Sequence, residues 1–197
     1  MDRAELEELH YIAPMANLAS ILERGILSKR RARPLNPVSV AMEEVQAIRA
    51  NKIVPGGRPL HDYVNLYICA RNPMLYKRAG QHMQLAVLRI SPAVLDLPGV
   101  VIADGNAASA YTGFWPAPAG LAKVDKDAVF AEYWTHADQI EQWRRMRAKC
   151  AEVLVPDRVD PQYITGAYVS CPEAAEAVAG AGVALTIIVD PHLFFRG

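Results

Sequence analysis

The spacing of apolar and polar positions changes several times along this chain, and each change marks a short element. Alternating or continuous apolar runs predict strands over residues 9–12, 63–69, 84–90, 100–103, 151–155, 164–169 and 183–189, since β-branched and aromatic side chains fit a pleated, half-buried surface. Apolar residues spaced by three and four predict helices over 15–24, with Leu18, Ile21 and Leu22 on one face, and over 40–50, 124–134, 139–146 and 172–181. Gly25 stands where a left-handed residue ends a helix. The Pro-Gly-Gly stretch at 54–60 reads as a loop, and 106–120 is loop-rich. Asn72-Pro73 opens a turn or short helix through Tyr76, and Ser91-Pro92 opens another turn with Ser as N-cap and Pro at the first position. Strands do not alternate regularly with long helices, which disfavours a doubly wound sheet. The pattern predicts an α+β fold in a single domain over 1–197: two packed β-sheets with short helices outside.

Composition narrows this further. The chain has 197 residues, 52% of them hydrophobic, enough for one packed core. No apolar run is long enough to span a bilayer. The acidic N-terminus lacks the basic and apolar regions of a secretory signal, so a cytoplasmic protein is expected. Cys69, Cys150 and Cys171 are far apart and form no C-x-x-C pair, which argues against disulfides and zinc; no metal is expected. Net charge is zero, so global charge lends nucleic-acid binding no support. Locally, Arg24, Lys29, Arg30, Arg31 and Arg33 form one basic cluster, and Arg144, Arg145, Arg147 and Lys149 form another. Each reads as a solvated face or as a groove tracking phosphates.

Glu152 is the sharpest chemical feature. It interrupts the apolar run Ala151-Glu-Val-Leu-Val155, and a carboxylate on a covered strand must be paired or face a cavity. The alternative is an edge strand with Glu152 in water. Arg49 closes a helical segment before the Pro-Gly loop and reads as a solvated helix end or as a guanidinium aimed at phosphates. No G-x-S-x-G elbow, G-x-G-x-x-G fingerprint or phosphate-binding loop occurs, and the histidines lack metal-ligand spacing.

Several segments in order resemble one family. His10-Tyr-Ile-Ala-Pro-Met-Ala-Asn-Leu18, Ile21-Leu22-Glu-Arg-Gly25, Arg49 followed by Val54-Pro55-Gly56-Gly57, the long stretch Leu60 to Tyr76, and Ala151-Glu-Val-Leu-Val155 resemble the DarT toxins. The resemblance covers essentially the whole chain. It implies an ADP-ribosyltransferase fold, NAD+ as co-substrate, transfer of ADP-ribose to a thymine or guanine in single-stranded DNA, and a DarG-type macrodomain antitoxin as partner. It places Glu152 and Arg49 as the catalytic pair. Tyr11, Ala13, Asn17, Leu18, Gly25 and Arg49, with Tyr67 and Tyr76 beside the nicotinamide, would bind NAD+. Arg145, Arg147 and Lys149 would meet the DNA. Family members often carry histidine at the position of Tyr11; here His10 holds the imidazole, on the opposite face of a regular strand. The same fold with RNA or protein as acceptor, or an inactive nucleic-acid-binding module, are the alternatives.

Overall fold

The computed structural model describes residues 1–180, 182 and 184–196. In chain order its strands are β1 (Leu9–Pro14), β2 (Ile26–Leu27), β3 (Tyr63–Tyr67), β4 (Leu85–Ile90), β5 (Val101–Ala103), β6 (Phe114–Pro116), β7 (Glu152–Pro156), β8 (Arg158–Val159), β9 (Ile164–Val169) and β10 (Ile187–Val189). The helices are α1 (Leu18–Arg24), α2 (Lys29–Ala32), α3 (Glu43–Ala50), α4 (Pro73–Tyr76), α5 (Lys126–Phe130), α6 (Gln139–Lys149) and α7 (Pro172–Gly180), joined by short 3₁₀ turns. The expected helix end at Ala181 and strand start at Val183 lie outside the described residues, and the strand expected over 183–189 is shorter than that, since 184–186 are irregular and β10 begins at Ile187.

Eight strands form one hydrogen-bonded series, β10-β9-β4-β1-β3-β7-β5-β6, and β2 pairs with β8 in a separate ribbon. The series falls into two four-stranded halves. β1 and β4 pair over six rungs, and β3 and β7 over five, but β1 meets β3 at the single pair His10–Tyr67. The two packed sheets expected from the sequence are these halves, joined at one rung.

Alternation sets which residues pack. Leu9 and Leu88 from one half and Leu66, Val153 and Val155 from the other are fully or almost fully buried in one shared core, with Leu18 and Ile21 of α1. Burial of each such aliphatic side chain stabilises the fold by about 1.5–3 kcal/mol. The alternate residues of the β3 half, Tyr63, Leu154 and Ala103, pack instead with Val54 and Leu60. Tyr67, Glu152 and Ala103 are direct cross-strand partners and therefore share that second face.

Three elements differ from expectation for identifiable reasons. The helix expected over 40–50 begins only at Glu43, because residues 38–40 are pulled aside. The Asn17 amide bonds both the N–H and the carbonyl of Val38, and Arg78 Nε donates to the Val40 carbonyl at 2.7 Å. The helix expected over 124–134 stops at Phe130. Lys149 Nζ takes the Val129 carbonyl at 2.9 Å, and Trp134 turns to pack edge-on against Tyr76 and Phe195. The loop-rich 106–120 contains β6, which pairs with β5.

Candidate active site

A cleft of about 880 Å³ opens beside the junction of the two half-sheets, within the roughly 300–1,000 Å³ common for ligand sites. Tyr11 and Asn17 border one side, Tyr63, Tyr67 and Met74 another, and Trp143, Met146 and Arg147 of α6 a third. The segment from Lys29 to Met42 supplies much of the remaining rim. Asn17 and Arg78 tie this strap down at Val38 and Val40.

Arg49 lies in the last turn of α3 and reaches the first residue of β7. Its Nη1 and Nη2 each donate to a different oxygen of Glu152, both at 3.1 Å. The two side chains are 7% and 1% exposed. This bidentate geometry is the strong form of the carboxylate–guanidinium pair. The backbone N–H of Ala107 adds a third bond to Glu152 Oε1 at 3.0 Å. Burial works against the Arg49 charge, but the charge and hydrogen bonds of Glu152 outweigh it and hold the guanidinium above its usual range. The solvated helix end and the water-exposed edge strand are thereby both overturned.

Glu152 itself does not border the cleft, which it adjoins through Arg49 and its strand partner Tyr67, but the pair does not exhaust its acceptors. A carboxylate has about four lone-pair sites. Oε1 accepts from Arg49 and Ala107, while Oε2 accepts from Arg49 alone. One acceptor position remains, on Oε2. Tyr67, the cross-strand partner of Glu152, has its phenol pushed well up by burial first and then by the Glu152 charge. Cys150, also bordering the cleft, is pushed up to about 12, mainly by burial. It is therefore a neutral thiol there.

The remaining residues singled out from sequence divide. Tyr11 borders the cleft, whereas His10 points to the opposite face, where its Nε2 meets Glu8 at 3.1 Å. Asn17 borders the cleft with its amide committed to Val38. Gly25 borders it too. Its φ of +82° and its contact with Val159, where a Cβ would collide with the carbonyl, admit no side chain. Ala13 and Leu18 are core residues, 0% and 1% exposed, so their side chains do not face a ligand. Tyr76 is corrected: it stands outside the cleft, 57% exposed, in a trio with Trp134 and Phe195.

The expected DNA-contacting residues also separate. Arg147 borders the cleft and is held by Asp104 at 2.8 Å. Gly105 makes room for it, since a Cβ there would lie 2.6 Å from Arg147 Nη1. Arg145 is partly exposed and paired with Glu141 at 3.0 Å. Lys149 is corrected: it is 2% exposed, with Nζ directed to the Val129 carbonyl and, at 3.4 Å, to Cys69 Sγ. A buried ammonium pointing inward meets no DNA. The sequence reading missed Trp143, the Ala107 donor and the strap. An aromatic residue four positions before Arg147 was the available signal for Trp143. Among the described residues no three His, Cys, Asp or Glu side chains gather as a metal site requires, and no helix is long and apolar enough to cross a membrane.

A family model described as DarT, ssDNA thymidine ADP-ribosyltransferase, matches residues 10–195. A DNA ADP-ribosyl transferase–DNA ADP-ribosyl glycohydrolase fusion protein of Thermosipho africanus is 33% identical over 198 residues. That match takes in 95% of this chain and 49% of the relative, so the chain spans about half the length of that protein. Among solved structures, Thermosipho africanus DarTG in complex with ADP-ribose superposes with a TM-score of 0.83 at 31% identity, over 96% of this chain and 51% of that one. Thermus sp. 2.9 DarT in complex with ADP-ribosylated ssDNA gives 0.78 at 24% identity over 96% of both chains, a likeness of fold.

Proposed function

The chain belongs to the DarT family, and from that premise we propose that it transfers ADP-ribose from NAD+ to a base, thymine before guanine, in single-stranded DNA. The observation that carries this reading is the buried Arg49–Glu152 pair beside a cleft large enough for a dinucleotide.

Breaking the nicotinamide–ribose bond sends the bonding electrons out with nicotinamide and leaves positive charge on the sugar. A fixed carboxylate stabilises such a charge, as glycosidases do. Glu152 is suited to this because Oε2 keeps one free acceptor site for the ribose 2′-OH. Arg49 fixes the carboxylate rotamer, and its remaining N–H groups serve the pyrophosphate or the incoming base. A ring nitrogen of the base then bonds the anomeric carbon as its proton passes to water. Tyr11 offers the ribose a hydroxyl where other members have histidine. Gly25 and Asn17 shape the dinucleotide site, Asn17 through the strap, and Tyr67 lies beside the nicotinamide. Arg147 faces the DNA. A base edge is hidden within a duplex, which favours a single strand.

The name of the Thermosipho africanus fusion protein, which joins a transferase to a glycohydrolase, supports a DarG-type antitoxin that removes the modification and, with it, a toxin role. The reaction belongs in the cytoplasm, where NAD+ and DNA meet. The test is mass spectrometry of an oligonucleotide pool incubated with protein and NAD+. One ADP-ribose on one base, named by the fragment ions, is expected. Consumption of NAD+ with no DNA adduct would redirect the assignment to another acceptor, and intact NAD+ would sink the enzyme reading.

A further inference from the structure

The chain has three tryptophans, and the fold uses two. Trp115 on β6 packs over Gly113 and Gly120, where an added Cβ would strike its ring and its Cβ. Trp134 packs edge-on against Tyr76 at 5.7 Å and Phe195 at 5.9 Å. Trp143 does neither. It is 62% exposed on α6 and still borders the cleft. It heads a helical face of Trp143, Met146, Arg147 and Cys150, all of which border the cleft. The spacing is three, four and seven, as one face of a helix requires.

We propose that Trp143 is the stacking platform for a nucleobase of the acceptor strand, an assignment that rests on the transfer reading and deepens it. The reacting carboxylate lies inside, at 1% exposure, so the dinucleotide must enter. A polymeric acceptor cannot enter whole. It stays at the mouth and presents one base inward, and the mouth residue is the one it meets. Charge points the same way. The chain has zero net charge, and three of the four α6 cations are already engaged, Arg145 with Glu141, Arg147 with Asp104 and Lys149 by burial, which leaves Arg144, 74% exposed and 3.9 Å from Glu141. Phosphate attraction from α6 therefore rests mainly on Arg144, and stacking adds to the hold on the strand. Stacking is tolerant of sequence because every base has a π-face. Trp143 thus sets affinity for single strands, and the anchored guanidinium of Arg147 is left to read the base edge.

The test compares wild type, Trp143→Ala and Trp143→Phe. Affinity for a fluorescent thymine-containing single-stranded oligonucleotide is read by anisotropy, and affinity for NAD+ by calorimetry. Trp143→Ala is expected to weaken oligonucleotide binding about 5- to 150-fold, the range for loss of one base–aromatic stack, with NAD+ affinity unchanged. Trp143→Phe is expected to recover most of it. Undiminished oligonucleotide binding by Trp143→Ala overturns the proposal. So does a parallel loss of NAD+ affinity, which would make the indole part of the dinucleotide site, and so does failure of Trp143→Phe to recover binding. If wild type attaches no ADP-ribose to the oligonucleotide yet binds it through Trp143, the transfer reading falls and the stacking assignment stands.

Discussion

Removing either member of the Arg49–Glu152 pair should destabilise the protein, and removing both should restore it. Glu152→Gln keeps the acceptor for the Ala107 N–H but strands the guanidinium, which is 7% exposed. Arg49→Met strands the carboxylate, which is 1% exposed. An unpaired buried charge costs about 3–5 kcal/mol. The lower end applies to a stranded Arg49, which borders the open cleft where water relieves part of the cost, and sets the minimum for a stranded Glu152. For a chain of this size about 3 kcal/mol corresponds to a fall in Tm of roughly 6–12 °C. The double variant carries no stranded charge and should lie within about 1 kcal/mol of wild type, since neutral replacement of a buried pair is often harmless. Thermal and urea unfolding of all four proteins measures this directly, independent of activity. A double variant that loses the sum of the two single losses would refute the reasoning. The pair would then act through packing and not through mutual neutralisation. A solvated helix end, one of the two readings the sequence offered for Arg49, would make its replacement cheap, and its burial excludes that.

Other outcomes follow from single features. Gly25→Ala should cost about 2 kcal/mol or more, because φ is +82° and the Cβ meets the Val159 carbonyl; an unchanged Tm would show that the β2–β8 ribbon yields. Asn17→Ala should release the strap at Val38, raising KM for NAD+ several-fold while changing stability by about 1 kcal/mol or less; an unchanged KM would remove the strap from the binding site. Glu8 is opposed by burial but held down to about 2 by hydrogen bonds from His10, Tyr168 and Arg89. Its contribution is present above the ordinary carboxylate range and is lost as pH falls through about 2. Glu8→Gln should therefore unfold with a shallower dependence between pH 4.5 and 2, the lower limit being that of Glu8 and the upper its ordinary value, and identical pH profiles would contradict the assignment.

Most of the strands and the location of Glu152 on a covered one were legible in the sequence, because period-2 burial around β3, β4 and β7 is imposed by the core itself. The residues that escaped did so for longer-range reasons. Lys149 looks like one of four surface cations on α6, and only the early end of α5, which leaves the Val129 carbonyl free, turns it inward. Tyr76 stands two residues after Met74, about 200° around a helix, and that step places Met74 at the cleft and Tyr76 outside it. Asn17 belongs to the cleft, yet its amide serves a strap twenty-one residues away. None of these partners is local, so no window of the sequence contains them.

The single rung between β1 and β3 has a consequence for how such a fold diversifies. A full ladder would lock the angle between the half-sheets in steps of hydrogen-bond register. With one rung, the angle is set by the volumes of the core side chains wedged between them, such as Leu66 and Leu88. Those volumes change by single methylene groups. Ordinary drift in the interior therefore adjusts the clearance between the two walls in fine increments, and the cleft can be widened or narrowed without altering a residue that lines it.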